Sequence, residues 1–225
     1  MGNIGEDHPF PLTDTDRYVL SLTDEQYVKH DWEDLKNVIE TNNLSVLKRK
    51  PSDLRRYMKW TSETKAEYGS ITRYLIVHRL PKAWGDSPPY VPVSKTPFAD
   101  PSDYRVLVND WPYGLTSDIT HIVVWTRTLI PTDPNTGDMT DESRAGVAAF
   151  VRRYFADSLT EEDGANGNGE ERVLWFKNWV QLQSVRALEH IHVLVRNASP
   201  ALLQKWTEEL PCHKIEAAPR ETHRG

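Results

Sequence analysis

Two histidines separated by one residue are the side chains in this sequence whose spacing points most directly to chemistry. His190 and His192 lie in the apolar stretch 189–195, whose composition predicts a β-strand. Because side chains alternate along a strand, both imidazoles project from one face, while Ile191, Val193 and Val195 pack on the other. Paired imidazoles can bind a metal, or one can act as base or nucleophile while the other orients it. The pattern therefore predicts that any catalytic chemistry lies at this strand.

A second feature is a local reversal of charge. The chain has a formal net charge of −6, which argues against a generic nucleic-acid binder. Residues 48–59, however, read KRKPSDLRRYMK, in which only Asp53 is acidic. The cations of this basic run are Lys48, Arg49, Lys50, Arg55, Arg56 and Lys59. The run is either a solvated helix face or a patch that contacts phosphates.

The elements that must position these residues fall into two groups along the chain. Residues 23–210 predict a single α+β domain, with helices in 23–80 and a β-rich part in 102–210. The proline-rich stretch 81–101 predicts a surface connector between them. Residues 1–22 and 211–225 predict a flexible arm and a flexible tail. Helices that precede an antiparallel sheet with one long helix are typical of the α+β class.

Individual elements follow from apolar periodicity and capping residues. A capping-box pattern at Thr23 predicts the start of a first helix, and Ser52 the start of a second. Residues 71–80 form either a third helix, which is favoured, or a strand. A long amphipathic helix is predicted at 141–155 and a mobile acidic segment at 158–171. The pair Ser199-Pro200 predicts the start of a last helix. Strands are predicted at 105–109, 121–128, 173–178 and 190–195.

Composition excludes several classes of protein. Cys212 is the single cysteine, so an intrachain disulfide and a thiolate metal cluster are excluded. No apolar run is long enough to span a bilayer, and the first residues lack the pattern of a secretory signal. No phosphate-binding glycine loop occurs. We therefore expect a cytoplasmic protein that does not enter a membrane and uses no cofactor.

Parts of the chain resemble the histidine-triad nucleotide hydrolases and transferases. Residues 107–129 read LVNDWPYGLTSDITHIVVWTRTL, and residues 172–195 read RVLWFKNWVQLQSVRALEHIHVLV. The resemblance implies a histidine-triad-like sheet, with His192 as the nucleophile that attacks an α-phosphate and Asn178 and Ser184 as phosphate contacts. Leu194 stands at the third position of the triad, where that superfamily has His or Gln.

Five segments spread along the chain carry a second and broader resemblance. They read DWEDLKNVIETNNLSVLKRKPSDLRRYMKW, KAEYGSI, NDWPYG, HIVVW and WFKNWVQLQSVRALEHIHVLVR. Together they resemble the fungal N-acetylglucosamine-induced protein family, a domain of unknown function that includes the fungal arginine-containing cyclodipeptide synthases. The resemblance implies that the chain joins arginine from Arg-tRNA to the amino acid of a second aminoacyl-tRNA and closes a diketopiperazine.

Such a synthase requires groups that move protons and stabilise an oxyanion. His192 and His190 are the favoured base or nucleophile pair, with Ser184 and then Ser70 as further candidates. Asn178 is a candidate donor to the oxyanion. No energy source beyond the aminoacyl ester is required, which agrees with the lack of an ATP motif.

The implied substrates require a second set of residues. The basic run is the candidate tRNA-binding surface, and Asp110 and Glu189 are the candidate carboxylates for the arginine guanidinium. Aromatic faces can stack on the terminal adenine or on the guanidinium plane. Candidates for these contacts, beside Asn109 in the same motifs, are Trp111, Tyr113 and Trp179. Trp125 and Trp175 lie inside strands and are predicted to belong to the core.

Three functions follow from these observations. The first is the cyclodipeptide synthase, and the second is a histidine-triad-like nucleotidyl transferase or hydrolase. The third is a non-catalytic binding or regulatory protein. A metal-dependent enzyme is a fourth, weaker alternative, with His121, His190 and His192 as ligands, but no nearby carboxylate completes an obvious metal site.

Overall fold

A four-stranded antiparallel sheet forms the centre of the chain. The computed structural model describes residues 8–164 and 167–208. The strands are β1 (Tyr104–Val108), β2 (Ile119–Thr126), β3 (Val173–Phe176) and β4 (Glu189–Arg196). Their spatial order is β1-β2-β4-β3. The long central pair, β2 and β4, consists mainly of apolar and β-branched side chains, as expected for strands that are covered on both faces.

Helices precede, interrupt and follow the strands. In the described residues they are α1 (Asp14–Ser21), α2 (Trp32–Glu40), α3 (Pro51–Tyr68), α4 (Ile71–His78), α5 (Asp141–Val151), α6 (Asp157–Asp163) and α7 (Pro200–Thr207). A π-helical turn, Arg152–Ala156, makes α5 continuous with α6. None of the helices in this part of the chain has both the length and the hydrophobicity that crossing a membrane requires.

The two faces of the sheet pack against different helices. On one face, Ile122, Ile191 and Val193 are fully buried against aromatic residues of α5, the π turn and α7, including Phe150 and Phe155. On the other face, residues of β1 and β2 pack against α4, while the end of β4 packs against α2. The sheet therefore lies between two helical layers, and His190 and His192 project towards the N-terminal one.

The α+β class and most elements agree with the sequence prediction. Helices at 71–80 and from Ser199-Pro200, and all four strands, are confirmed to within a few residues. Ser199 Oγ accepts a hydrogen bond from the N–H of Leu202, as expected of an N-cap. The predicted helix at 141–155 is longer than expected, because the π turn continues into α6.

The structure differs from the sequence prediction in three places. The expected arm contains α1, whose capping box is formed by Thr13 and Asp16. The Thr23–Gln26 hydrogen bonds do form, but they close a turn, and α2 instead begins at Trp32 after the N-cap Asp31. The acidic segment 158–171 was expected to be mobile, yet it holds most of α6 and the 3-10 turn Gly169–Arg172. Residues 1–7 of the arm and the tail 211–225 lie outside the described residues.

The buried face of β2 should dominate stability. Ile122 is 0% exposed within the larger apolar cluster, so Ile122→Ala removes buried methyl groups and leaves a cavity. We expect the free energy of unfolding in urea to fall by about 2–5 kcal/mol. Val91→Ala, at a side chain that is 85% exposed, should change it by less than about 0.5 kcal/mol. Equal effects at the two positions would contradict this packing.

Candidate functional site

A cavity of about 780 Å³ lies between the histidine-bearing face of the sheet and the N-terminal helices. Side chains of α3 and α4 form one wall, and β1, β2 and the segment that precedes β4 form the other. His190, His192, Asn178 and Ser184 all line it. The cavity therefore brings together the residues that the sequence predicted to be catalytic. Its volume falls within the roughly 300–1,000 Å³ that is usual for small-molecule sites.

The register of the sheet sets the contacts of the two histidines. His190 lies opposite Trp125 across β2 and β4, and their ring centroids are 4.6 Å apart. His192 lies opposite Phe176 of β3, with the rings stacked at 4.9 Å. His121 is the diagonal neighbour of His192, two residues before its partner Val123. Diagonal neighbours on one face are within reach of long side chains, which brings a third imidazole to the pair.

A chain of hydrogen bonds fixes the tautomers of His121 and His192. The N–H of Trp111 donates to Asn109 Oδ1 at 2.9 Å, so the amide nitrogen Nδ2 of Asn109 faces the His121 ring, 3.3 Å from both Nδ1 and Nε2. The N–H of Tyr113 also points at this Nδ1, at 3.4 Å. His121 Nδ1 therefore accepts, and its Nε2–H donates to His192 Nδ1 at 2.9 Å. His192 must then carry its proton on Nε2.

Asn178 ends this chain of hydrogen bonds. Its amide nitrogen Nδ2 is placed 3.2 Å from His192 Nε2 and 3.1 Å from the hydroxyl of Tyr113, while Oδ1 has no partner among the described residues. Since His192 Nε2 is a donor, the network favours the amide orientation in which Oδ1 accepts from both groups. Both nitrogens of His192 are then engaged within the protein.

His190 is held differently. Its Nδ1–H donates to the backbone carbonyl of Leu188 at 2.9 Å. A carbonyl oxygen only accepts, so in the neutral ring the lone pair is on Nε2. No group in the described part of the chain hydrogen-bonds to that nitrogen, and the His190 side chain lines the cavity. Of the two histidines on β4, His190 is therefore the one equipped to accept a proton from a ligand.

Burial keeps all three imidazoles neutral. Loss of hydration lowers the pKa of His121 to about 3 and that of His190 to about 4. Burial, reinforced by His121, His190 and the positive charge of Arg49, holds the pKa of His192 well below its usual value. Neutral imidazoles at physiological pH offer a lone pair to a ligand and do not attract anions.

The two candidate carboxylates have different positions. Asp110 lines the cavity, where its Oδ1 pairs with the guanidinium of Arg79 at 3.0 Å. Glu189 projects from the other side of β4, and its Oε1 pairs with Lys177 Nζ at 3.0 Å. Strand alternation separates Glu189 from the histidine next to it, so it does not line the cavity. Asp16, which the sequence placed in a flexible arm, is a second carboxylate in the cavity wall.

The basic run is divided between the cavity and the surface. Lys48 and Arg49 line the cavity, and the others lie at the start of α3 and along it. Folding supplies more acids than Asp53, because Lys48, Lys50 and Lys59 lie within 3.9 Å of Asp16, Asp24 and Glu63. Arg56 pairs with Asp53, and Arg55 donates to the carbonyl of Leu20. Most cations of the basic run therefore pair with groups of the protein itself, so they do not form the continuous phosphate-binding surface that the sequence analysis considered.

The remaining predicted site residues also divide between the cavity wall and other parts of the molecule. Asn109, Trp111 and Tyr113 line the cavity, whereas Trp179 packs beside α2 and donates to Asn42 Oδ1 at 3.3 Å. Ser70 is the N-cap of α4 and accepts from the N–H of Arg73. Trp125 belongs to the core and also lines the cavity, while Trp175 packs against the opposite core.

Metal binding finds no support in the ligand geometry. His121 and His192 use their facing nitrogens on each other. Across the described ranges, no group of three or more His, Cys, Asp or Glu side chains is arranged to hold a metal ion.

The sequence analysis missed one wall of the cavity. Tyr57 and Trp60 of α3 line it, and their rings contact Trp111 with centroids 5.5 and 5.3 Å apart. Their positions on one face of α3, three residues apart, were the available signal. That signal is ambiguous, because aromatic residues at helical spacing are more often part of a core.

Comparison with known proteins places the chain in a family. Residues 31–196 match the family described as "Protein of unknown function (DUF3605)", and the chain belongs to it. It is 27% identical over 195 residues to N-acetylglucosamine-induced protein 1 of Candida albicans, covering 80% of this chain and 71% of that protein. It is 28% identical over 165 residues to the uncharacterized protein YPL067C of Saccharomyces cerevisiae, covering 73% of this chain and 77% of that protein.

A solved structure shares the fold. "Crystal Structure of HTC1" superposes with a TM-score of 0.59 at 24% sequence identity, covering 79% of this chain and 93% of that one. The family resemblance drawn from the sequence is therefore confirmed, and so is the α+β fold. The histidine-triad resemblance stays a prediction.

The buried histidines predict that stability decreases in mild acid. The unfolded chain binds protons near the ordinary histidine pKa of about 6.5, whereas native His190 does so only near 4. Stability is therefore complete above about pH 6.5 and is lost as the pH falls towards 4, by about 1.4 kcal/mol per pH unit for each buried histidine. Urea unfolding of His190→Gln across this range should show a shallower slope than the wild type.

The control for this measurement is His78→Gln, at an exposed histidine of α4. It leaves the three buried imidazoles in place and should retain the steep slope. A His190→Gln protein with the wild-type slope would show that His190 is not a buried neutral base.

Proposed function

We propose that this member of the DUF3605 family is an aminoacyl-tRNA-dependent cyclodipeptide synthase that forms an arginine-containing diketopiperazine. The observation that carries the proposal is the neutral imidazole of His190, whose Nε2 lone pair has no protein partner in the described residues, on the wall of a 780 Å³ cavity. Ser184 and Asp110 line the same cavity. Such a site combines a base, a hydroxyl group and a carboxylate in a space that can hold two aminoacyl groups.

The reaction needs a base and no other activation. The α-amine of one aminoacyl group attacks the ester carbonyl of the other, forming the first amide bond and releasing one tRNA. The amine of the resulting dipeptidyl ester then attacks its own ester carbonyl, closing the ring and releasing the second tRNA. In each step, we assign to His190 Nε2 the proton lost by the amine, which it returns to the departing ribose hydroxyl.

His192 has a positioning role in this scheme. Its two nitrogens are engaged by His121 and Asn178, so it neither accepts a proton nor attacks a carbonyl. Its ring instead packs edge to face against His190, with centroids 5.3 Å apart. Asn178, which lines the cavity beside His192, is the candidate donor to the oxyanion of the attacked ester.

Recognition of arginine is assigned to Asp110. Its carboxylate lines the cavity beside the guanidinium of Arg79, and a carboxylate is the group that binds the guanidinium of a substrate arginine best. Glu189 takes no part, since Lys177 holds it on the other side of β4.

The test is mass spectrometry of small molecules made by the purified protein. The reaction contains tRNA, arginyl-tRNA synthetase, ATP and all amino acids, with RNase added to one half. We expect an arginine-containing cyclic dipeptide that RNase abolishes. If folded protein yields no such product while charged Arg-tRNA is present, the proposal fails, and a nucleotide-hydrolase screen is the next step.

Substitution of His190 tests the assignment of the base. His190→Gln keeps a polar side chain of similar size without a basic nitrogen, so the rate of cyclic dipeptide formation should fall about a hundredfold or more. His78→Gln is the matched control and should react at the wild-type rate, with melting temperatures measured for both. Loss of all activity in His192→Gln but not in His190→Gln would reverse the roles given to the two histidines.

A further inference from the structure

Arg49 differs from every other cation of the basic run. Lys48, Lys50, Arg56 and Lys59 each pair with a carboxylate, and exposed Arg55 donates to a backbone carbonyl. Arg49 lines the cavity, is half-buried, and pairs with no carboxylate of residues 8–164 and 167–208. Placing a cation away from water without a counter-charge is costly. This cost is offset when an anion binds beside the guanidinium.

The guanidinium is held in place with most of its donors unused. Nε donates to the backbone carbonyl of Trp111 at 3.1 Å, and the guanidinium carbon lies 3.9 Å from the centroid of the Tyr57 ring. The amino groups Nη1 and Nη2 have no hydrogen-bond partner in the described part of the chain. An arginine fixed through Nε and a ring face presents these two groups as a fork, the arrangement that binds phosphate in a bidentate manner.

The neighbouring side chains indicate which kind of anion fits. Trp60 and Trp111, both partly exposed and both in the cavity wall, have ring centroids 5.3 Å apart. Trp111 also has an indole N–H that lacks a partner among the described residues. Aromatic faces beside an arginine are the usual elements that bind single-stranded nucleic acid, because bases stack on the rings while the cation contacts the backbone.

We propose that Arg49 and Trp111 form a subsite for the phosphate group of a nucleotide whose base stacks on Trp60 or Trp111. The inference rests on the proposed function, since the nucleotide it names is the acceptor end of the tRNA. The aminoacyl ester has no free carboxylate, so the phosphodiester next to the terminal adenosine is the anion that Arg49 would bind. The surface cations of the basic run are not needed for this contact.

Calorimetric titration of the full chain with cytidylyl-adenosine, which carries one phosphodiester, tests the subsite. Arg49→Gln should bind it at least about tenfold more weakly than the wild type, because a charge-assisted pair of hydrogen bonds is lost. Arg49→Lys keeps the charge but not the fork and should lie between the two. Arg153→Gln, an exposed arginine in the opposite helical layer, is the matched control and should bind normally.

Adenosine, which has no phosphate, separates phosphate binding from packing. Its affinity should be the same for the wild type and Arg49→Gln; if both ligands weaken equally, Arg49 acts only through Tyr57 and the proposal fails. It also fails if cytidylyl-adenosine binds Arg49→Gln as well as the wild type, or does not bind the wild type at all. Adenosine 5′-monophosphate bound far more tightly than the dinucleotide would instead indicate a free-nucleotide site.

The experiments distinguish failure of the phosphate subsite from failure of the proposed synthase function. Binding through Arg49 without any cyclic dipeptide product would retain the phosphate subsite and reject the synthase. Synthesis with an unchanged KM for aminoacyl-tRNA in Arg49→Gln would retain the synthase and reject the subsite.

Discussion

The antiparallel pairing of β2 with β4 is the constraint on which the site depends. In this register Trp125 faces His190 and Val123 faces His192, so three imidazoles and an indole share one side of the sheet. The alternate residues, including Ile122, Ile191 and Val193, are buried on the other side. A shift of one residue would place the histidines in the apolar core, where neither their hydration nor their hydrogen bonds would be replaced.

The same burial determines the chemistry of the site. A histidine exposed to water is partly protonated near neutral pH, whereas here the loss of hydration keeps three imidazoles neutral. The N–H of Tyr113 gives the hydrogen-bond chain its direction, because it points at His121 Nδ1 and leaves Nε2 to donate to His192. The two histidines of β4 therefore have different environments, with His192 saturated and His190 open to the cavity. Arg49 adds a positive charge that favours neutral rather than protonated rings at both His121 and His192.

Much of this arrangement is present in the sequence as local pattern. Strand alternation alone puts His190 and His192 on one face, and segregation of helices and strands along the chain predicts the α+β class. The contribution of His121 is not local, because it requires the register between strands far apart in sequence. For Glu189 the local pattern was sufficient but was not followed. Strand alternation places Glu189 on the face of β4 opposite to His190, yet its position next to His190 in the sequence suggested a shared site.

Charge was harder to predict than hydrophobic pattern. The basic run contains only one acid in its own segment, but the acids that pair with Lys48 and Lys50 come from α1 and from the turn before α2. Such long-range pairing has no signature in composition. The arm was assigned as flexible because it is polar, yet a capping box at Thr13 and contacts with α3 order its second half. Local polarity does not distinguish a helix that packs through few residues from a disordered segment.

The cavity is lined by residues from Phe10 to His192, and its two sides belong to the N-terminal helical part and to the sheet. A molecule that occupies it contacts elements that would otherwise separate on unfolding, and it has no comparable site in the unfolded chain. Ligand binding and global stability are therefore linked quantities: each tenfold increase in ligand above its Kd adds about 1.4 kcal/mol to the free energy of unfolding. The melting temperature of the chain thus depends on which ligands are present in solution, and a ligand of this cavity would be detected as an increase in melting temperature.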